Sequence, residues 1–225
     1  MHTLLTNFKG INNLGLFGFV NNNIGLIGTE VPDKVKEEFE EVFDVPFHKV
    51  TIAGTSLIGA FTVGLNDKIL IPSITFEHEK KKLDEIGLDY EVLKTNLTCL
   101  GNNIVISNNG LLINPEFNEK EVEALKKLYD RKVVAKSFAS TNAVGNIVVI
   151  NNHLQKGLVS NDITEEEFDE IQEILDVDLT PGSVNLGSPY VKTGILVNKN
   201  GFAIGSVSGG PEITNAEQAL GFVEY

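Results

Sequence analysis

The sequence predicts an α/β ring of five ββαβ repeats, and three observations carry that prediction. A glycine with apolar neighbours returns at Gly15, Gly59, Gly101, Gly145 and Gly194, in steps of 44, 42, 44 and 49 residues. Around each glycine the chain repeats one order: apolar strand, polar turn, second strand, acidic helix. Four units add a third strand after the helix, and the fifth reaches Tyr225 without one. A period of this length marks a propeller or stacked array, where each unit buries its apolar face only against neighbours.

The first strands are expected at residues 16–20, 60–63, 104–107, 147–150 and 195–197, all rich in the branched residues that suit a packed sheet. Polar turns follow, beginning at Asn21, Asn66, Asn108, Asn151 and Asn198. Asn and Gly belong in such turns because they tolerate the left-handed backbone of a tight hairpin. Second strands come next, two of them stopped by Pro72 and Pro115, which remove a ladder donor.

In the first helix Val35, Phe39, Val42 and Phe43 fall at i, i+4, i+7 and i+8 and make one buried stripe. Asn118 with Glu121, and Thr164 with Glu167, have the spacing of capping boxes that open the third and fourth helices. Third strands are expected at residues 49–53, 90–94, 132–138 and 179–184. The missing fifth copy is supplied by residues 3–8, an apolar pattern ahead of the first glycine. Closing the array with its own N-terminal segment removes the exposed sheet edges that invite aggregation. No linker interrupts the units, so residues 1–225 are expected to form one domain with repeats beginning near residues 10, 54, 96, 140 and 185.

A formal net charge of −13 argues against a general nucleic-acid binder, whose affinity rests on Lys and Arg neutralising phosphates. The acids crowd into the helices, and residues 10–17, 53–62, 96–106, 138–150 and 183–197 contain no Asp or Glu. In a ring of equivalent units these lead-in segments cluster on one face or at the centre, giving an uncharged patch inside an acidic rim. The polar lead-in residues Asn12, Asn13, Thr55, Ser56, Asn102, Asn103, Asn142 and Asn146 are expected to be exposed. The acidic helices read as solvated faces. No apolar run reaches membrane-spanning length and no signal-peptide pattern opens the chain, so a cytoplasmic location is expected. The single cysteine, Cys99, agrees with a reducing compartment.

Several segments carry a family resemblance: residues 8–15, 52–59, 100–102, 108–116 and above all Gly182-Ser183-Val184-Asn185-Leu186-Gly187-Ser188-Pro189-Tyr190-Val191. In order and along the whole chain they resemble the archaeal and eukaryotic translation initiation factor six family, archaeal type. Two local departures lie at residues 206–212 and 152–157. The resemblance implies a pentein fold, a closed pseudo-fivefold α/β propeller, and a ribosome anti-association role on the large (50S) subunit, where the factor sterically blocks joining of the small subunit. It implies a contact surface at the lead-in loops, here Asn13, Leu14, Gly15, Leu57, Ile58, Gly59, Leu100, Gly101, Asn102, Val144, Gly145 and Asn146. The expected partner is the large ribosomal subunit, mainly a basic ribosomal protein with minor rRNA contact, and no membrane, cofactor or metal is expected. The factor is expected to act as a monomer.

Penteins also include amidine-modifying enzymes that use a cysteine nucleophile with a histidine. Here Cys99 lies on a lead-in, the last 100 residues hold no cysteine, and His2, His48, His78 and His153 are scattered without a metal-ligand spacing. An enzyme of that class, or an interaction scaffold for another partner, stands as the alternative.

Overall fold

The computed structural model of the chain describes residues 2–223. The first strand, β1 (Thr3–Thr6), belongs to the last sheet. Unit one runs α1 (Leu14–Phe17), β2 (Gly18–Val20), β3 (Gly25–Gly28), α2 (Asp33–Phe43) and β4 (Phe47–Val50). Unit two runs α3 (Ile58–Phe61), β5 (Val63–Leu65), β6 (Lys68–Pro72), α4 (Glu77–Glu85) and β7 (Tyr90–Leu93). Unit three runs α5 (Leu100–Asn103), β8 (Ile104–Ile106), β9 (Gly110–Ile113), α6 (Glu119–Tyr129) and β10 (Lys132–Ala135). Unit four has a 3₁₀ turn (Val144–Asn146), then β11 (Val148–Asn151), β12 (Lys156–Ser160), α7 (Glu165–Leu175) and β13 (Asp178–Gly182). Unit five runs α8 (Val191–Gly194), β14 (Ile195–Val197), β15 (Phe202–Gly205) and α9 (Gly210–Ala219).

Every unit makes a three-stranded sheet whose first two strands are antiparallel and whose third lies parallel to the second. In the fifth sheet the third strand is β1, pairing Thr3 with Phe202 and Thr6 with Gly205. The N-terminal segment therefore completes the last unit, as expected. The short helices touch in sequence, α1 to α3, α3 to α5, α5 to the 3₁₀ turn, that turn to α8, and α8 back to α1.

Three of the first strands, β2, β5 and β11, begin later than the sequence suggests, because the lead-in to each starts with a short helical turn, whereas β8 and β14 begin at Ile104 and Ile195 as expected. Runs such as Leu14-Gly15-Leu16-Phe17 are apolar throughout and too short to display a period, so helix and strand cannot be told apart there. Phe8 lies beyond β1 and opens a tight turn bridged to Ile11, with Lys9 and Gly10 both left-handed. Ile52 with Thr55 and Phe138 with Thr141 repeat that geometry.

The topology gives the ring two unlike ends. Each first strand leads from a short helix to an Asn-rich turn, and the second strand returns. The helices α2, α4, α6, α7 and α9 therefore begin at the lead-in end and finish at the Asn-rich end. Their macrodipoles aim partial positive charge at the lead-in end. At the other end Asn side chains tie neighbouring turns: Asn198 Nδ2 donates to Asn21 O at 3.1 Å, Asn21 Nδ2 to Asn66 O at 2.7 Å, and Asn108 Nδ2 to Asn152 O at 2.8 Å.

The apolar interior is divided into five clusters, and each joins the helix and strands of one unit to the sheet of the unit before it. Phe39, Phe43 and Val35 of α2 meet Leu196 and Ala203 of unit five, and Leu83 of α4 meets Leu26 and Val50 of unit one. Leu125 and Tyr129 of α6 meet Leu70 and Leu93, Ile171 and Leu175 of α7 meet Val105 and Leu112, and Ala216 of α9 meets Val149 and Leu158. The stripe read in α2 is fully buried. Both capping boxes form, with Asn118 and Thr164 accepting from the amides of Glu121 and Glu167, whose carboxylates accept the return bonds.

Two helix carboxylates are not solvated in the way the sequence suggests. Glu79 is 3% exposed and accepts from Phe76 N in its own helix turn, then from Ala53 N and Gly54 N of the preceding lead-in turn, at 2.8–2.9 Å. Glu212 does the same for Gly209 N, Leu186 N and Gly187 N, and takes Ser183 Oγ. Burial alone would raise both carboxyls, but these donors, with Thr51 at Glu79, outweigh it and hold them below the usual range.

A depressed folded value adds stability above the unfolded value, near 4.3, and that stability is lost as pH falls through the folded value. Glu79→Gln is expected to cost about 1–3 kcal/mol at pH 7, with the deficit narrowing below about pH 4. Urea unfolding of wild type and variant at both pH values checks this.

Candidate functional site

The lead-in segments meet at the ring axis, and glycine there is a steric requirement. A Cβ on Gly59 would fall onto the carbonyl oxygen of Gly15, one on Gly101 onto that of Gly59, and one on Gly145 onto that of Gly101. A Cβ on Gly15 would strike the carbonyl oxygen of Lys192. Four of the five short helices thus lie backbone to backbone against the one before, the close approach that only glycine permits.

The fifth place in this set is Lys192, not Gly194. Leu14, Ile58, Leu100, Val144 and Val191 are equivalent buried positions that open each lead-in helix, and the residue after each is Gly15, Gly59, Gly101, Gly145 and Lys192. The sequence signal was the step of 49, out of line with the others. Counted to Lys192 the step is 192 − 145 = 47, and part of the remaining excess lies in the wider turn bridging Val184 to Ser188.

Lys192 sends its side chain across the axis, from unit five to the two units opposite. Its Nζ donates to Gly59 O at 3.4 Å and to Gly101 O at 3.3 Å. Both acceptors are neutral, and among the described residues no carboxylate pairs with it. The residue is half-buried by accessible surface, but protein packed around Nζ lowers its affinity for a proton from the ordinary 10.5 to about 8.

The proposed contact residues divide sharply. Leu14, Ile58, Leu100 and Val144 have no exposed surface, and Gly15, Gly59, Gly101 and Gly145 are buried. These eight hold the ring together and cannot present a surface to a partner. Asn13 is exposed, and Leu57, Asn102 and Asn146 are half-buried. Asn103, expected at the surface, is 8% exposed and bonds Cys99 O and Asn114.

The exposed lead-in surface includes residues that periodicity did not single out. Asn185 Nδ2 donates to Asn12 O, Ser206 Oγ to Asn12 Oδ1, and Asn185 N to Ser208 Oγ, which draws residues 11–13, 185–190 and 206–208 into one patch. The apolar side chains Ile11, Leu186, Tyr190 and Val207 of this patch are exposed, Leu186 by 77%. Leu186 also has φ of +64°, a conformation that bulky side chains rarely adopt. Its amide is bonded to Glu212, which helps to hold that backbone in place.

The elements of cysteine catalysis are not assembled. Cys99 is half-buried next to α5, and burial pushes its thiol up, away from the reactive thiolate. Among the described residues no group of His, Cys, Asp and Glu could hold a metal, and no helix is long and apolar enough to cross a membrane.

Comparison with known proteins is consistent along the chain. The model of the eIF-6 family matches residues 3–219. Translation initiation factor 6 of Pyrococcus horikoshii is 32% identical over 99% of this chain and 100% of its own length. That of Sulfolobus acidocaldarius is 32% identical over 94% of this chain and 95% of its own. Among solved structures, a Pseudomonas aeruginosa DDAH mutant complexed with citrulline covers 80% of this chain and 71% of its own, with TM-score 0.51 and 13% identity. The N-terminal domain of ArgZ covers the same shares with TM-score 0.53 and 10% identity. These likenesses show the pentein fold and say nothing of activity.

The axial lysine gives a stability expectation of unusual sign. Its folded value lies below its unfolded one, so the folded state carries the full penalty below about pH 8 and sheds it as pH rises toward 10.5. Lys192→Met is expected to be more stable than wild type by about 1–3 kcal/mol at pH 7, an advantage that shrinks by pH 10. Denaturant titrations at the two pH values measure it. Gly59→Ala, in contrast, is expected to lose about 3 kcal/mol or more, read as a fall in thermal midpoint.

Proposed function

The chain belongs to the eIF-6 family, and on that footing we propose that it is a translation initiation factor that binds the large ribosomal subunit and prevents the small subunit from joining by occupying space. The observation that most supports this reading is the lead-in face. It is free of Asp and Glu along its five segments, faces the positive ends of five helix dipoles, and carries the exposed apolar group Ile11, Leu186, Tyr190 and Val207. Asn13, Leu57, Asn102 and Asn146 extend it toward the axis without adding charge.

Around this face the first turns of the helices place Asp33, Glu77, Glu119 and Glu165, a rim of negative charge. Such a rim steers a basic ribosomal protein onto the patch and disfavours bare RNA. Protein contacts therefore dominate over rRNA contacts. A specific interface needs roughly 800 Å² per partner, and the total accessible surface of 9894 Å² leaves ample room for one. No bond is made or broken in this role; it is performed in the cytoplasm by a monomer.

Sedimentation through sucrose tests the reading. The protein is expected to travel with 50S subunits, not with 30S, and to lower the yield of joined ribosomes. Leu186→Asp, at an exposed position, is expected to weaken 50S binding about tenfold or more while leaving the thermal midpoint near that of wild type. Equal binding to deproteinised rRNA, or no binding to 50S, overturns the proposal.

A further inference from the structure

In every sheet the third strand is outermost, with one edge paired to the second strand and the other facing away from it. Such an edge presents unpaired amides and carbonyls that another strand can bond. Most of these edges carry a block. In β4 the outward amide of Phe47 donates to Glu40 Oε1 at 2.9 Å, and in β13 that of Leu179 donates to Gln172 Oε1 at 2.9 Å. β13 also holds Pro181, which has no amide hydrogen, exposed Lys132 and Lys136 frame β10, and β7 carries the exposed Glu91.

β1 has none of these devices. His2 O accepts from Phe202 N and Thr6 O from Ser206 N, so residues 2, 4 and 6 face β15, and the N–H and C=O of Thr3 and Leu5 point outward. By register Thr3 stands where β4 has Phe47 and β13 has Leu179, and Leu5 where they have Lys49 and Pro181. The capping side chain in those two sheets is the eighth residue of α2 and of α7. In α9 that place is Glu217, whose carboxylate takes Thr3 Oγ1 at 2.6 Å instead of the amide. Residues 3–6 contain no charge and no proline, and Leu5 is 45% exposed.

Charge decides what this edge takes. β1 lies between α2, reached by the bond of Thr6 Oγ1 to Glu38, and α9, reached by that of Thr3 to Glu217. α2 holds five acids against two lysines, and α9 two acids and no base. A second copy would set the same acidic helices against each other, so self-pairing through β1 is opposed. Glu38 has the exposed Lys34 only at 3.8 Å, and Glu41, one turn on, is exposed. An incoming strand with lysine or arginine on that face meets both carboxylates. Its alternate residues fall on the α9 face beside Leu5, where apolar side chains fit.

We propose that the outer edge of β1 is a docking site for an extended basic segment of a partner protein, which joins the fifth sheet as a fourth strand with lysine or arginine alternating with apolar residues. Thr3 and Leu5 supply the backbone pairing, and Glu38 and Glu41 select for positive charge. The edge is on the flank of the ring, apart from the lead-in face, so a partner held there leaves that face free.

The probe is a six-residue peptide alternating lysine and valine, blocked at both ends and titrated into the full ¹⁵N-labelled chain. A second peptide, methylated at alternate backbone nitrogens, keeps the charge and loses the pairing. The first is expected to bind saturably with Kd on the order of 100 μM, to shift the Thr3 and Leu5 amides and slow their exchange, and to leave Tyr90 and Val92 of β7 unmoved. The methylated peptide is expected to bind about tenfold more weakly or worse. Leu5→Pro and Leu5→Lys introduce residues that β13 and β4 already carry at this position, so both are expected to fold and to weaken binding about tenfold. Should one fail to fold, the other variant and the methylated peptide decide. Equal binding of the methylated peptide, which is mere attraction of a polycation to an acidic protein, overturns the proposal. So does wild-type affinity in the Leu5 variants, silence of the Thr3 and Leu5 amides at about 1 mM peptide, or dimerisation of the chain through β1. No ribosome enters the assay, so either result leaves the reading of the lead-in face as it stands.

Discussion

The backbone contact at the axis is the constraint on which the rest depends. Four short helices approach their neighbours so closely that a single methyl group at Gly15, Gly59, Gly101 or Gly145 would collide with a carbonyl oxygen. That distance sets how near the five sheets come to the axis, and so how wide a wedge remains between each sheet and the next helix. The five apolar clusters fill those wedges. No unit owns a core, since every cluster joins the helix and strands of one repeat to strands of the repeat before it. Stability in open repeat arrays is approximately a sum of repeat and interface terms, whereas here the last interface returns to the first and no terminal repeat is left unpacked.

Lys192 is the place where the fivefold pattern is broken. It lies at the seam with unit four, whose lead-in is a 3₁₀ turn in place of an α-helical one. There the axis carries a side chain, and that side chain spans the ring to units two and three. Its lowered proton affinity implies a cost to the fold at neutral pH. Natural proteins keep such unfavourable groups where function needs them more than stability does.

Much of the architecture was legible in the sequence. The helices were readable because α2 has an unbroken apolar stripe and α6 and α7 begin with capping boxes. The closing role of residues 3–8 followed from counting strands. Three features were not legible, each for a physical reason. Four-residue apolar runs such as Ile58-Gly59-Ala60-Phe61 carry no period, so the ends of α1 and α3 were read as strand. Gly194 imitated the repeat while Lys192 occupied the structural position, because alignment by glycine assumes that the packed residue is always glycine. Glu79 and Glu212 read as solvated charge because their partners include backbone amides 25 and 26 positions earlier in the chain, which leave no trace in residue type. The same difficulty hid the patch at Leu186, which joins three segments up to 197 residues apart, from Ile11 to Ser208.

The pairing of β1 with β15 joins residues 199 positions apart in the chain, Thr3 with Phe202. During synthesis the N-terminal strand leaves the ribosome first, yet its partner is made almost last. Until then each nascent repeat exposes the half-wedge meant for its successor, and β1 has no neighbour to pair with. Loop closure of that length is entropically demanding and slows folding. Completion of the ring therefore waits until β15 has been made, and until then the newborn chain carries an unpaired edge in need of protection.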